Sequence, residues 1–208
     1  MRRSMLLAVL MTAGCLLAQD LKTIALPQPQ TDGGRPLMQV LKDRKTTRDF
    51  APDKLPPQVL SNLLWAAFGV NRPDGRRTAP SAMNKQEIDI YVATADGLFV
   101  YNAQTNRLDP VLAQDVRAAT GTQPFVATAP VDLVYVADLA KAGGEPDADL
   151  YTAADTGFIA QNVYLYCASE GLATVVRGSV DRAALAKVMK LRPEQKIILS
   201  QTVGYPKK

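Results

Sequence analysis

Residues Arg76–Glu87 read RRTAPSAMNKQE and open directly onto IDIYVAT at 88–94. The second piece carries an apolar alternation, Ile88, Ile90 and Val92, the period of a strand with one buried face. The first is a loop by composition: Pro80, Ser81, Asn84 and small residues leave it no apolar period of its own. It is also basic, with Arg76, Arg77 and Lys85 against Glu87 at its far edge. Polar groups held on the end of a rigid strand are where folds usually present binding chemistry. The plain alternative is a solvated connection. Against it stand a second basic cluster upstream, Arg44–Phe50 (RKTTRDF), and a segment downstream bounded by glycines, Gly171–Gly178 (GLATVVRG).

Upstream, a helix is expected from Pro36, with Leu37, Val40 and Leu41 on one apolar line and Arg44 on the same line. A cation in line with core residues needs a partner. Placement at a helix C-terminus is one answer. An anion gripped together with Lys45, Thr46 and Arg48 is the other, since arginine suits phosphate. A second helix opens at Pro56-Pro57 and ends at Gly69, with Leu60, Leu63, Leu64, Ala67 and Phe68 inward.

Downstream, strands are expected at Ile88–Thr94, Leu98–Asn102 and Arg107–Leu112, turning at Asp96-Gly97 and at Asn102–Asn106. A short helix at Asp115–Ala119 and an alternating strand at Val131–Asp138 follow. Tyr151–Glu170 is the longest helical pattern, apolar almost all round, and so reads as a central helix. Gln161 and Asn162 in its middle are expected to satisfy buried groups, with ligand contact the alternative, and Cys167 to be a small core residue. Asp181 should cap a helix reaching Met189, and Ile197–Val203 should be the last strand. Helices alternate with a local meander, so the class is α+β.

Composition removes whole classes of chemistry. The chain has no histidine, which excludes Ser-His-Asp and Cys-His catalysis and leaves no usual zinc or haem ligand set. If the protein is an enzyme, a cofactor supplies the chemistry. Met1–Arg3 followed by apolar Met5–Leu17 matches a secretory signal peptide cut after Ala18, too short to span a membrane. Alternatives are a lipoprotein cut before Cys15 and a twin-arginine signal at Arg2-Arg3. Either the periplasm or the outside of the cell is then the destination, without stable membrane insertion. Once the signal is lost only Cys167 remains, so no internal disulfide can form. The net charge of +4 comes with no long basic run or aromatic platform, so nucleic acid is not indicated. Residues 19–35, with Pro27, Pro29, Gly33 and Gly34, read as an extended leader, and 36–208 as one domain.

RKTTRDF at 44–50, APSAMNKQE at 79–87 and DTGFIAQNVYLYCASEGLATVVRG at 155–178 have the order and spacing of one family. The sequence resembles the flavin-dependent nitroreductases, especially the branch of azoline-forming (SagB-type) dehydrogenases. The resemblance implies a nitroreductase-like α+β fold: an antiparallel-rich mixed sheet flanked by helices around a buried central helix. It also implies a homodimer with FMN in two clefts between the subunits. Arg44, Lys45, Thr46 and Arg48 would hold the phosphate and ribityl chain, and Ser81, Asn84 and Gln86 would approach the flavin across the interface. Val175, Val176, Arg177 and Gly178 would lie along the ring, the Gly178 amide at flavin N5 in the catalytic role. Lys207 or Lys208 would stand in for a cation that family members bring back to the phosphate from a longer C-terminus. Arg177 stands where an acidic or small residue is usual.

The implied activity is ping-pong two-electron transfer through N5, from a small-molecule donor (NAD(P)H or another) to an unidentified acceptor. A dehydrogenase acting on one specific substrate and a flavin-binding module without turnover are the rival readings.

Overall fold

The computed structural model describes residues 21–144 and 146–208. The expected signal peptide, its alternative cut before Cys15 and the first two leader residues lie outside the described residues.

Seven strands form one sheet in the order β1-β4-β3-β2-β5-β7-β6. They are β1 (Ile24–Ala25), β2 (Ile88–Thr94), β3 (Gly97–Asn102), β4 (Arg107–Leu112), β5 (Val131–Asp138), β6 (Ala173–Arg177) and β7 (Gln195–Gly204). Every ladder among the described residues is antiparallel, narrower than the antiparallel-rich mixed sheet expected. β2, β3 and β4 form the meander that the Asp-Gly and Asn turns announce. Gly97 has φ +147°, and a Cβ there would lie 2.7 Å from the Leu112 carbonyl, so the turn admits only glycine.

Helices are α1 (Leu37–Asp43), α2 (Pro57–Phe68), α3 (Leu139–Ala142), α4 (Ala148–Glu170) and α5 (Arg182–Met189). One sheet face, with Ile88, Ile90, Val92, Leu133 and Tyr135, packs on α2 and α4. The other, with Tyr91, Ala93, Val134 and Val136, packs on Leu185 and Met189 of α5. β5 is buried at every position, as a strand covered on both faces must be. Asp181 caps α5 by accepting from the Ala184 N–H at 3.0 Å, and Gly171 ends α4 in the left-handed conformation at φ 71°. Asp115–Ala119 shrinks to one 3₁₀ turn, Arg117–Ala119.

The leader is laid across the sheet edge and the helices. β1 pairs with β4, the Pro27 carbonyl accepts from Ser61 and Asn106, and the Arg35 N–H donates to Ser169 Oγ at 3.0 Å.

Two expectations for α4 need correction. In the single chain it is covered on one side only: Thr152, Asp155, Ile159, Val163 and Cys167 are buried, while Leu150, Tyr151 and Phe158 stand in the open. Gln161 is exposed and satisfies no buried group, because it falls on that open side; Asn162 reaches the Ala67 carbonyl at 3.4 Å. Cys167 is a core residue, 1 % exposed. No described helix is long and apolar enough to cross a membrane.

Candidate functional site

The turn after α1 carries the cations. Arg44 is the C-cap of α1, so its guanidinium leaves the apolar line just where the helix ends, and it stacks over the Tyr164 ring at 5.2 Å. Thr46 Oγ1 lies 3.1 Å from Tyr164 Oη, and the Thr47 N–H donates to the Thr174 carbonyl of β6 at 3.0 Å. The C-terminus closes the same place from the other side: Phe50 bridges Pro206, and the Lys207 N–H donates to the Asp49 carbonyl. Arg44, Lys45, Thr174 and Lys207 therefore line one cavity of about 730 Å³, within the usual range of small-molecule sites. Asp43 also lines it but is ion-paired with Arg35. Arg44, Lys45, Arg48 and Lys207 have no carboxylate partner among the described residues. Arg48 is exposed beside the cavity rather than in its wall.

β6 is an edge strand, bonded to β7 alone within the sheet. Its free edge is held by Thr47 at Thr174 and by Tyr164, whose hydroxyl accepts from the Val176 N–H at 3.0 Å. Two residues on, Gly178 presents its N–H with no acceptor among the described residues, while its carbonyl accepts from Val180 and Arg182. A Cβ at Gly178 would meet only Leu199, at 3.9 Å. Gly178 is exposed, so its backbone is open to approach there.

Alternation along β6 sends Val175 and Arg177 to the other sheet face. Val175 packs with Phe50, Ala129 and Ala173. Arg177 is 4 % exposed and donates to Asp132 Oδ1 at 2.9 Å, to the Thr120 carbonyl at 2.8 Å and to Thr202 Oγ1 at 2.9 Å. Its guanidinium also lies 5.8 Å from the Phe125 ring centroid. The Arg177 side chain is a buried structural cation pointing away from the cavity, so of this residue only the backbone lies along the strand edge. Burial pushes its partner Asp132 up to about 7, the Arg177 charge pulling the other way.

The Ser81–Gln86 loop sits at the opposite end of α4. Met83, Asn84 and Gln86 all have φ near +50°, a conformation that is costly for side chains such as Met and Gln. Ser81 Oγ accepts the Gln86 N–H at 3.0 Å. The Gln86 amide is filled inside the loop, accepting from Arg77 Nε at 2.9 Å and donating to the Gly75 carbonyl and to Asn84 Oδ1. Within the single chain Gln86 thus braces the loop, while the Asn84 side-chain N–H groups donate to no acceptor among the described residues. Arg77 is also a brace, bonded to the Phe68 carbonyl at 3.0 Å.

Asp155, nine residues before Tyr164 and so roughly 13 Å along the helix, accepts the Ala82 N–H at 2.8 Å. Within one chain the loop and the cation cavity are thus apart. Sequence reasoning missed Tyr164, taken as core, and Asp155. Both carried a signal: a buried tyrosine needs a partner for its hydroxyl, and an acid on the buried line of a helix needs one for its charge.

The family model for nitroreductases matches residues 41–205, which takes in the cation turn, the loop, α4, β6 and β7. The chain belongs to the nitroreductase family and has its α+β fold. It is similar to a nitroreductase-family crystal structure from Ralstonia eutropha JMP134, 45% identical, with TM-score 0.87, covering 90% of this chain and 91% of that one. A nitroreductase-family protein of Methanocaldococcus jannaschii is 30% identical over 169 residues, 75% of this chain and 85% of its own. The Escherichia coli microcin synthetase complex McbBCD, solved with truncated pro-MccB17, contains a chain of the same fold at 18% identity, TM-score 0.69, covering 98% of this chain and 85% of that one.

Proposed function

We propose that this nitroreductase-family oxidoreductase binds FMN in the cavity between the α1 turn, β6 and the C-terminus, and works as a homodimer. The observation that carries this reading is the set of cations without carboxylate partners, Arg44, Lys45 and Lys207, gathered on a cavity whose far side is an open strand edge. That donor set suits a dianionic phosphate next to a flat ring. When bound, the flavin supplies two-electron transfer between a donor and an acceptor, a redox step that acid–base side chains do not perform. Arg44 and Lys207 bind the phosphate, Thr46 and Tyr164 orient the chain that follows it, and the Gly178 N–H is the hydrogen-bond donor at the ring edge.

Homodimer formation follows from the open side of α4. Leu150, Tyr151 and Phe158, with Met38 of α1 and Met83 of the loop, leave large apolar side chains exposed, more than a lone soluble chain ordinarily shows together. Covering that side with a second copy would carry a partner's Ser81–Gln86 loop toward the cavity that it cannot reach in its own chain. Export by a cleaved signal peptide is part of the same proposal.

The test is titration of flavin-free protein with FMN, read by flavin fluorescence and by elution volume. Arg44→Ala should weaken FMN at least tenfold, about 1.4 kcal/mol, and Phe158→Glu should shift the dimer to monomer. FMN bound equally well by Arg44→Ala would refute the phosphate assignment. A wild-type chain that elutes as a monomer with FMN bound would refute the shared site.

A further inference from the structure

Directly beneath the Ser81–Gln86 loop lies a pair of buried acids that the proposed flavin chemistry does not use. Glu87, the residue that joins the loop to β2, is 2 % exposed, and both of its carboxyl oxygens are buried without a hydrogen-bond donor among the described residues. Its neighbour is another acid: the Asp155 side chain, on α4 and 3 % exposed. Asp155 holds the loop directly through the Ala82 N–H.

The cations at hand do not neutralise the pair. Lys141 of α3 attracts Glu87 from a distance but is bonded to Asp89 at 2.7 Å. Lys85, which lines the small cavity beside Glu87 with Met83 and Tyr151, makes no ion pair among the described residues. Thr156 Oγ1, one residue along α4, is likewise buried without a partner.

Two buried carboxylates side by side, with no donor between them, are a costly arrangement. A single proton resolves it. Carried on Glu87, it gives Glu87 a hydrogen bond to donate to Asp155. Asp155 accepts that bond alongside the one from the Ala82 N–H at 2.8 Å.

We propose that Glu87 and Asp155 are positioning residues that share one proton, and that this shared proton keeps the Ser81–Gln86 loop in its strained shape for the site. The link to the site rests on the proposed flavin reading; the proton sharing does not. Burial, and after it the neighbouring Asp155, push Glu87 up to about 7, with Lys141 pulling the other way. A carboxyl raised in this way supports the fold while protonated and loses that support as pH rises through about 7. The second negative charge then opposes the first, and the Ala82 anchor weakens.

The experiment is amide hydrogen exchange on the flavin-free full chain from pH 5.5 to 8.5, corrected for intrinsic exchange, alongside FMN titration at the same pH values. In wild type, protection at Ala82 should fall at least tenfold between pH 6 and pH 8, and FMN affinity should fall with it. Glu87→Gln carries a permanent donor and no charge, so the Ala82 profile should become flat while protection stays high, and FMN affinity should no longer fall toward pH 8.

Asp132, the other carboxyl raised to about 7, lies against Arg177 and away from the loop, so its titration persists in Glu87→Gln and is told apart. Wild-type protection at Ala82 that does not change across this range overturns the proposal without any variant. The same slope in Glu87→Gln as in wild type also overturns it. Protection that behaves as expected in a chain with no affinity for FMN at any pH would leave the proton pair standing and refute the flavin reading instead.

Discussion

Replacing Arg177 with Met tests whether this residue belongs to the fold or to the site. The Arg177 and Asp132 side chains are 1 % and 0 % exposed, and their ion pair spans 2.9 Å. Met fills much of the volume but leaves the Asp132 carboxylate with the Thr202 hydroxyl alone, since its Oδ2 is already without a partner. Breaking one side of a buried pair costs about 3–5 kcal/mol, which for a domain of this size lowers Tm by roughly 6–20 °C.

The loss should depend on pH, and its sign is fixed. Asp132 is raised to about 7 in the intact protein with Arg177 as the strongest opposing influence; without that charge it rises further. A carboxyl with a raised pKa binds a proton in the folded state that the unfolded chain has released, so its contribution falls as pH rises. At pH 6 the variant's Asp132 is neutral and the penalty is smaller. At pH 8.5 it is larger, by about 1.4 kcal/mol for each unit of further rise. Thermal melts by circular dichroism at the two pH values give the comparison, and FMN titration of the folded variant should match wild type. A loss below about 1 kcal/mol at both pH values, or a gap that narrows toward pH 8.5, would refute the reasoning. A selective loss of FMN affinity would return Arg177 to the ligand.

The same network predicts that Gly121→Ala is severely destabilising, by about 2–4 kcal/mol, because the new methyl would lie 1.8 Å from the Arg177 guanidinium, which is pinned by its partners; melting within 2 °C of wild type would be the contrary result. Tyr164→Phe removes the hydroxyl that joins Thr46 to the Val176 N–H and should cost about 2 kcal/mol together with a loss of FMN affinity. Unchanged melting and unchanged affinity in that variant would show the hydroxyl to be dispensable.

The ladder of elements was legible because each boundary had its own local cause. Pro57, Gly69, Gly97, Gly171 and Asp181 act through torsion and capping, which need no tertiary context, and β2, β4 and β5 fall on their expected bounds. Facing was harder. Arg177 reads as one more cation near a basic cluster, and only the pairing of β6 with β7 decides that it turns toward Asp132 rather than toward the cavity. Gln86 reads as a free amide until Arg77 and Gly75 are seen to fill it. The apolar circumference of α4 reads as burial all round, yet Leu150, Tyr151 and Phe158 stand exposed in the single chain, because composition does not say which face finds a cover. Conversely, the sequence offers Lys207 as a cation with no stated position, and the bridge between Pro206 and Phe50 gives it a fixed place.

The bonds that assemble the cavity also set when it can exist. Thr46 and Tyr164 are 118 positions apart, and Lys207 meets Asp49 from the opposite end of the chain. A chain that has folded only in part has none of these closures, and distant ones are slow to form. The cavity wall therefore closes only after β7 and the segment beyond it have docked, so the meeting of Arg44, Lys45 and Lys207 is a late event in folding.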